Sequence, residues 1–225
     1  MQLEYCGLMN YAQALNLMEK TNHEVQHALL QGQQNYKSFE RIFVVEHPPT
    51  VTMGNRELPG DLLLPPEELK FKGVAFHKVD RGGSLTVHEP GQIVIYPIVY
   101  LDSRTVSVRT FVHVLEQAMI DLCQEYGIQA QRDALNPGVW VGKNKIGALG
   151  IRVTNKVTKH GLAFNVSNTL QTFSHIVPCG LRDRGVTTLM GCLKDFSATE
   201  QKVSFATVEK KLAENVLRFL KEIFA

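Results

Sequence analysis

Three strand-like runs, at residues 138–141, 145–153 and 162–166, follow one another with no helical pattern between them. Strands in direct succession, with no helix between each pair, favour a mixed α+β sheet over a regularly alternating parallel one. The succession is framed by two apolar stripes of helical period. Val108, Phe111, Leu115, Ala118, Leu122 and Tyr126 recur at steps of three and four before a stop at Gly127. Val208, Leu212, Val216, Phe219 and Ile223 mark a C-terminal helix. Nearer the N-terminus, Tyr11, Leu15, Met18, Val25 and Leu29 form a third stripe, interrupted only by Asn22. A short helix starts around Pro65, Pro66 and Glu67, where proline in the first turn is tolerated. Further β-branched runs at 41–46, 74–79 and 92–99 read as strands. The pattern predicts an α+β fold, with a mixed β-sheet core flanked by helices.

The 225 residues contain no linker-like stretch, repeat or low-complexity segment, so residues 1–225 are expected to form a single domain. A chain of this length buries a core without disulfides or metals to staple it. With 24 basic and 22 acidic residues, the charge balance argues against nucleic acid or an anionic membrane as partner. It leaves room for a local basic patch facing an acidic protein. The four cysteines, Cys6, Cys123, Cys179 and Cys192, show no C-x-x-C pair, which speaks against a zinc ribbon or a disulfide framework. The first residues lack a basic stretch followed by an apolar run, and no segment reaches membrane-spanning length. A cytoplasmic location with reduced thiols is the expectation. His23 and His27 are spaced i,i+4, but no third ligand is evident. They read as solvated histidines, and no metal is expected.

Three segments look chemical. Residues 81–92, RGGSLTVHEPGQ, concentrate glycine and polar side chains between two expected strands. Glycine pairs permit a sharp bend or a ligand lying on backbone N–H groups. Thr86 and His88 share a face if the chain is extended there. A hairpin with a generous turn accounts for the segment equally well, and neither G-x-G-x-x-G nor a Walker pattern is present. In the second segment, residues 145–152, a strand places Lys145 and Gly147 on one face, with the bare Gly147 leaving space beside the ammonium group. The alternative is a solvated lysine on an edge strand. The third, residues 175–180, holds Cys179 between Pro178 and Gly180, on irregular backbone. A thiolate there would attack an acyl carbonyl, and a cation such as Lys145 would favour the thiolate form. By contrast, Cys123 sits in an apolar helix and reads as core, and Cys6 and Cys192 lack polar company. Asp183 and Arg184 read as a polar loop, and Asp121 and Glu125 as a solvated helix face.

Taken together, these segments resemble the octanoyltransferases of lipoic acid synthesis, in the lipoyl/biotinyl protein ligase superfamily. The match comprises Glu46-His47-Pro48-Pro49-Thr50 with Thr52 and Gly54, the 81–92 stretch running on to Tyr96-Pro97, and Pro137-Gly138-Val139-Trp140-Val141. It continues through Lys145-Ile146-Gly147 with Leu149-Gly150, His160-Gly161-Leu162-Ala163 with Asn165-Val166, Pro178-Cys179-Gly180, and Val186-Thr187-Thr188-Leu189. The motifs span about residue 40 to 190 in the family's order.

The resemblance implies a Cys–Lys dyad on Cys179 and Lys145. It also implies an acyl pocket built from Arg81, Gly82, Gly83, Ser84, Leu85, Thr86, Val87 and His88, from Ala148, Leu149 and Gly150, and from Gly161, Leu162 and Ala163. The implied reaction moves octanoyl from octanoyl-acyl-carrier protein to a lysine of lipoyl domains, those of 2-oxo acid dehydrogenases or the glycine cleavage H protein. Thioester to amide is downhill, so no cofactor, ATP or metal is called for. Two positions depart from the family pattern: Val87 replaces a usual tyrosine and Glu89 a usual glycine. A carboxylate beside an apolar tunnel is costly if buried unpaired. Glu89 is therefore expected to face solvent or to meet a basic residue.

Overall fold

A computed structural model of the chain describes residues 1–57, 59–102, 104–134, 136–177, 184–196 (backbone only for 194–196) and 203–224. In chain order the elements are β1 (Gln2–Leu8), α1 (Tyr11–Leu30), β2 (Arg41–Glu46), β3 (Thr50–Met53), α2 (Pro66–Phe71), β4 (Ala75–Lys78), β5 (Leu85–His88) and β6 (Gln92–Ile98). There follow α3 (Val108–Glu125), β7 (Gln131–Arg132), β8 (Val139–Val141), β9 (Asn144–Thr154), β10 (Val157–Asn165), β11 (Gly185–Val186), α4 (Leu189–Phe196) and α5 (Phe205–Ile223).

The main sheet has the order β1-β2-β6-β10-β9-β8-β7, with β11 also pairing with β9. The β1–β2 and β11–β9 pairs are parallel, and the strands β8, β9 and β10, which follow one another in sequence as expected, pair antiparallel. A smaller sheet, β4-β3-β5, is hydrogen-bonded separately. This is the mixed sheet with flanking helices that the pattern predicted. Residues 81–92 do not close a hairpin, because β5 pairs with β3 while β6 pairs with β2 and β10. The intervening Glu89-Pro90-Gly91 turn carries the chain from one sheet to the other. Gly91 has φ +89°, and a Cβ there would lie 2.6 Å from Asn168 N.

Both faces of the main sheet are covered, so its central strands β2 and β6 are near-continuous buried apolar runs. On one face Phe111, Leu115 and Leu122 of α3 and Leu212, Val216 and Leu220 of α5 pack on Ile42, Val44, Ile93 and Ile95. On the other face Tyr11, Ala14, Met18 and Val25 of α1 pack on Phe43, Val45, Val94, Tyr96 and Ala163. The polar break in the α1 stripe has a structural reason. Buried Asn22 donates through Nδ2 to Val157 O (3.2 Å) and Thr158 O (3.1 Å), tying the helix to the start of β10. Ser107 caps α3, its Oγ accepting from Thr110 N at 3.0 Å, and Gly127 at φ +73° follows its end. Asp121 and Glu125 do more than face solvent: they pair with Arg218 (3.1 Å) and Lys211 (2.7 Å) of α5. His23 and His27 are exposed, as expected. Among the described residues no helix is long and apolar enough to cross a membrane, and no group of three or more His, Cys, Asp or Glu is placed to hold a metal.

Candidate active site

A cavity of about 410 Å³ opens between β9 and β10 of the main sheet and the segment that leads into β5. It is lined by Arg81, Gly82, Gly83, Ser84, Leu85, Thr86 and His88, by Ala148, Leu149 and Gly150, by Gly161, Leu162 and Ala163, and by Lys145. Bare backbone makes this approach possible. A Cβ on Gly150 would lie 2.8 Å from Arg81 Cδ, and one on Gly161 would lie 1.9 Å from Ile95 O. The glycine-rich segment is then held down by Gly82 N donating to Ile151 O at 3.0 Å. Arg81 is buried and turned toward β3. Its Nη2 donates to Thr52 O (2.7 Å) and Thr52 Oγ1 (2.9 Å), and its Nη1 to Gly82 O (3.0 Å).

One expected lining residue lies elsewhere. Successive side chains of a strand point to opposite faces, and with Thr86 and His88 facing the cavity, Val87 is turned away. It is fully buried among Val51, Leu69, Val74 and Ile176. Glu89 is likewise clear of the cavity, yet it neither faces solvent nor meets a basic residue as expected. It is 3% exposed, and its carboxylate accepts from Leu170 N (2.6 Å), Asn168 Nδ2 (3.1 Å) and Thr172 N (3.3 Å). Backbone donors thus satisfy the carboxylate that the sequence left unexplained.

Lys145 is not an edge lysine. It is 7% exposed and pairs with Trp140 of β8 on one side and Val186 of β11 on the other. Its Nζ donates to Pro137 O at 3.1 Å and lies 4.8 Å above the Trp140 ring. The space beside the ammonium comes from Gly138 and not from Gly147. A Cβ on Gly147 would lie 2.5 Å from Met119 Sδ, so that bare position serves the packing of α3 on β9. Gly138, at φ +130°, would place a Cβ 2.6 Å from Gly147 O and 3.2 Å from Lys145 Cε. The turn is fixed by buried Glu116 of α3, which accepts from Gly138 N (2.9 Å) and Arg132 Nε (3.1 Å).

Cys179 lies outside the described residues, as do Pro178, Gly180 and Asp183. The chain on either side is anchored. Val177 N donates to Asp61 O at 2.7 Å, while Gly185 and Val186 pair with Asn144 and Lys145. Arg184 pairs with Asp133 and stacks 4.7 Å from the Trp140 ring. Cys123 is buried in the core as expected, and Cys192 is buried with its Sγ 3.5 Å from Thr187 Oγ1.

A group of tyrosines and histidines that the sequence reading did not assign to the pocket forms part of its wall. Tyr11, Tyr96 and His160 join His88 there, with His47 behind them. His47 Nδ1 donates to Met9 O (2.7 Å), which leaves Nε2 to accept from the Tyr96 hydroxyl (2.9 Å). His160 Nε2 donates to Asp80 Oδ1 (2.9 Å), and Nδ1 lies 3.4 Å from the Tyr11 hydroxyl. Burial drives His47 and His160 down to about 4, against the opposing pull of the Met9 carbonyl and of Asp80 respectively. Burial and the neighbouring His47 also hold His88 well below the usual histidine range. At neutral pH all three rings are uncharged, so the cavity wall stays compatible with an apolar ligand. Burial opposes ionisation of Asp80, but hydrogen bonds from His160 and Lys159 outweigh it and keep the carboxyl below its usual value. Motif residues Tyr96, His47 and His160 were visible as signals. Tyr11 was visible only as one member of a helical stripe.

The family model of the lipoyl protein ligase A/B catalytic domain matches residues 19–217. An octanoyltransferase of Desulforamulus reducens is 45% identical over 184 residues, covering 81% of this chain and 77% of its own. That of Caldicellulosiruptor saccharolyticus is 41% identical over 212 residues, covering 93% and 84%. A mitochondrial octanoyltransferase of Arabidopsis thaliana is 39% identical over 184 residues, covering 81% and 75%. Among solved structures, a lipoate-protein ligase A bound with ATP superposes with TM-score 0.68 at 16% identity, covering 98% of this chain and 84% of that one. A bi-partite lipoate protein ligase from Thermoplasma acidophilum gives 0.63 at 16% identity with the same coverages. These two likenesses speak for the fold alone. With the fold, the family model and the relatives in agreement, the chain belongs to the octanoyltransferases of the lipoyl protein ligase A/B catalytic-domain family.

Proposed function

We propose that this protein, acting as one catalytic domain in the cytoplasm, transfers octanoyl from octanoyl-acyl-carrier protein to a lysine of a lipoyl domain through a thioester on Cys179. The acceptors are the lipoyl domains of 2-oxo acid dehydrogenases or the glycine cleavage H protein. One observation carries the reading: a mostly apolar cavity whose wall, among the described residues, includes the buried ammonium of Lys145, seated by Pro137 and Gly138. In the first half-reaction the Cys179 thiolate attacks the octanoyl carbonyl, a new C–S bond forms, and the carrier's C–S bond breaks with release of its thiol. In the second, the acceptor's amine attacks the same carbon, an amide forms, and Cys179 leaves as thiolate while the amine proton is lost. In this reading Lys145 favours the thiolate and exchanges protons with the leaving and entering groups. Arg81 to Thr86, Ala148 to Gly150 and Gly161 to Ala163 enclose the chain.

The test is a transfer assay with octanoyl-acyl-carrier protein and apo lipoyl domain, without ATP. Octanoylated acceptor is expected from the wild type, reduced at least about 100-fold in Lys145→Ala. Turnover only with free octanoate plus ATP, unaffected by Cys179→Ala, would assign the chain to adenylate-forming ligases instead.

A further inference from the structure

Pro137 and Gly138 share one peptide group, and its two ends meet opposite charges. Its N–H, that of Gly138, donates to Glu116 Oε1 at 2.9 Å, and its carbonyl, that of Pro137, accepts from Lys145 Nζ at 3.1 Å. A peptide unit is planar, and in the trans form found here its N–H and C=O point in opposite directions. Fixing one end therefore aims the other. We propose that Glu116 is a positioning residue for Lys145, holding the ammonium at the cavity wall through this single peptide group. This rests on the acyl-transfer reading above, in which Lys145 exchanges protons with the reacting groups.

A carboxylate on the buried side of a helix is costly unless donors compensate it. Glu116 is 7% exposed, and Met119, three residues on and on the same face of α3, packs against Gly147 of β9. Arg132 of β7 donates through Nε to Glu116 Oε2 at 3.1 Å, and its Nη2 is tied back to His113 O (3.0 Å) and Gln117 Oε1 (2.8 Å). One oxygen of the carboxylate is thus clamped between α3 and β7, and the other is turned to Gly138. Local backbone preference does little to hold that peptide. Pro137 has no N–H to anchor the turn, and Gly138, at φ +130°, has the wide conformational freedom of glycine. The preceding carbonyl, that of Asn136, is engaged elsewhere by Trp140 Nε1 at 3.0 Å. A Cβ on Gly138 would lie 3.4 Å from Lys145 Nζ, so the amine rests directly against the turn. Negative charge at the N–H end also polarises the peptide, which strengthens its carbonyl as an acceptor for the ammonium.

The experiment measures kcat and KM for transfer from octanoyl-acyl-carrier protein to apo lipoyl domain. Alongside it, reductive methylation of Lys145 in the unloaded protein is followed by peptide mass spectrometry. Glu116→Ala removes the acceptor, Glu116→Asp keeps the charge near Arg132 but withdraws it from Gly138, and Glu116→Gln keeps the reach without the charge. Glu116→Ala and Glu116→Asp are expected to lower kcat at least about tenfold with KM for the donor little changed, and Glu116→Gln to recover most of that loss. In both impaired variants Lys145 is methylated faster, while exposed Lys143 serves as the unchanged internal reference. Introduced into Lys145→Ala, the same substitutions should cost less than about twofold further, because the group they position is gone. Glu116→Asp carries the reading if Glu116→Ala does not fold. Equal fractional losses with and without Lys145, or a folded Glu116→Asp with either kcat or methylation unchanged, overturn the proposal. No transfer by the wild type, with Lys145 still released to methylation by Glu116→Asp, would overturn the acyl-transfer reading and leave the seat of Lys145 standing.

Discussion

A carboxylate taken out of water is tolerated only when donors replace its hydration. Glu89 has three such donors, and two of them are the backbone N–H groups of Leu170 and Thr172. Leu170 itself sits at φ +62°, so the Glu89 contacts hold a strained turn in the stretch that precedes Cys179. Replacing Glu89 by alanine leaves these buried donors without an acceptor and is expected to cost about 3 kcal/mol or more in urea unfolding. Glu89→Gln, which keeps one acceptor oxygen, should cost less. A loss under about 0.5 kcal/mol in Glu89→Ala would mean that the donors find other partners. The chemistry of single residues was partly legible beforehand. Lys145 stood out because it lies beside glycines, and the structure buries it, but the useful glycine is Gly138, brought in by β8–β9 pairing that spacing along one strand does not reveal. The resemblance puts Val87 in the acyl pocket, and the cost of an unpaired buried carboxylate points Glu89 to solvent or a basic partner. The two-residue period of β5 turns Val87 to the opposite face, toward Ile176, while Glu89, in the turn after β5, reaches the backbone of Leu170 and Thr172.

At the scale of elements, long periodic segments were readable and short ones were not. Helices α1, α3 and α5 follow their apolar stripes, and β2 spans the expected 41–46. β1 escaped notice because it is an edge strand, largely exposed, with an irregularity at Gly7 and few β-branched residues to signal it. β3 and β5 are four residues each and lie within motifs whose prolines and glycines suggest turns. Their pairing creates the second sheet, which no local pattern announces. α4 carries Gly191 within its eight residues, a poor helix former that masks the stripe. The pocket itself follows from an element-level event. The chain crosses from the small sheet to the main one at Glu89-Pro90-Gly91, and this leaves the Arg81–Ser84 stretch lying across β9.

Across the whole molecule, the buried neutral histidines tie stability to pH. His47 and His160 titrate at about 4 when folded and near 6.5 when unfolded. Below pH 6.5 the unfolded chain binds protons that the folded chain refuses, so stability is full above that value and falls as pH drops toward 4. Each ring contributes a slope of about 1.4 kcal/mol per pH unit within that window. Urea midpoints measured from pH 8 to pH 4.5 should be level at the top and fall through the lower half. A flat profile down to pH 5 would contradict the neutral cluster. The central claim, that octanoyl passes through this protein on Cys179, is tested most directly by intact-protein mass spectrometry after incubation with octanoyl-acyl-carrier protein. A single octanoyl adduct is expected on the wild type, absent from Cys179→Ser and discharged by apo lipoyl domain. An unmodified protein beside intact donor, or an adduct that persists in Cys179→Ser, would contradict it.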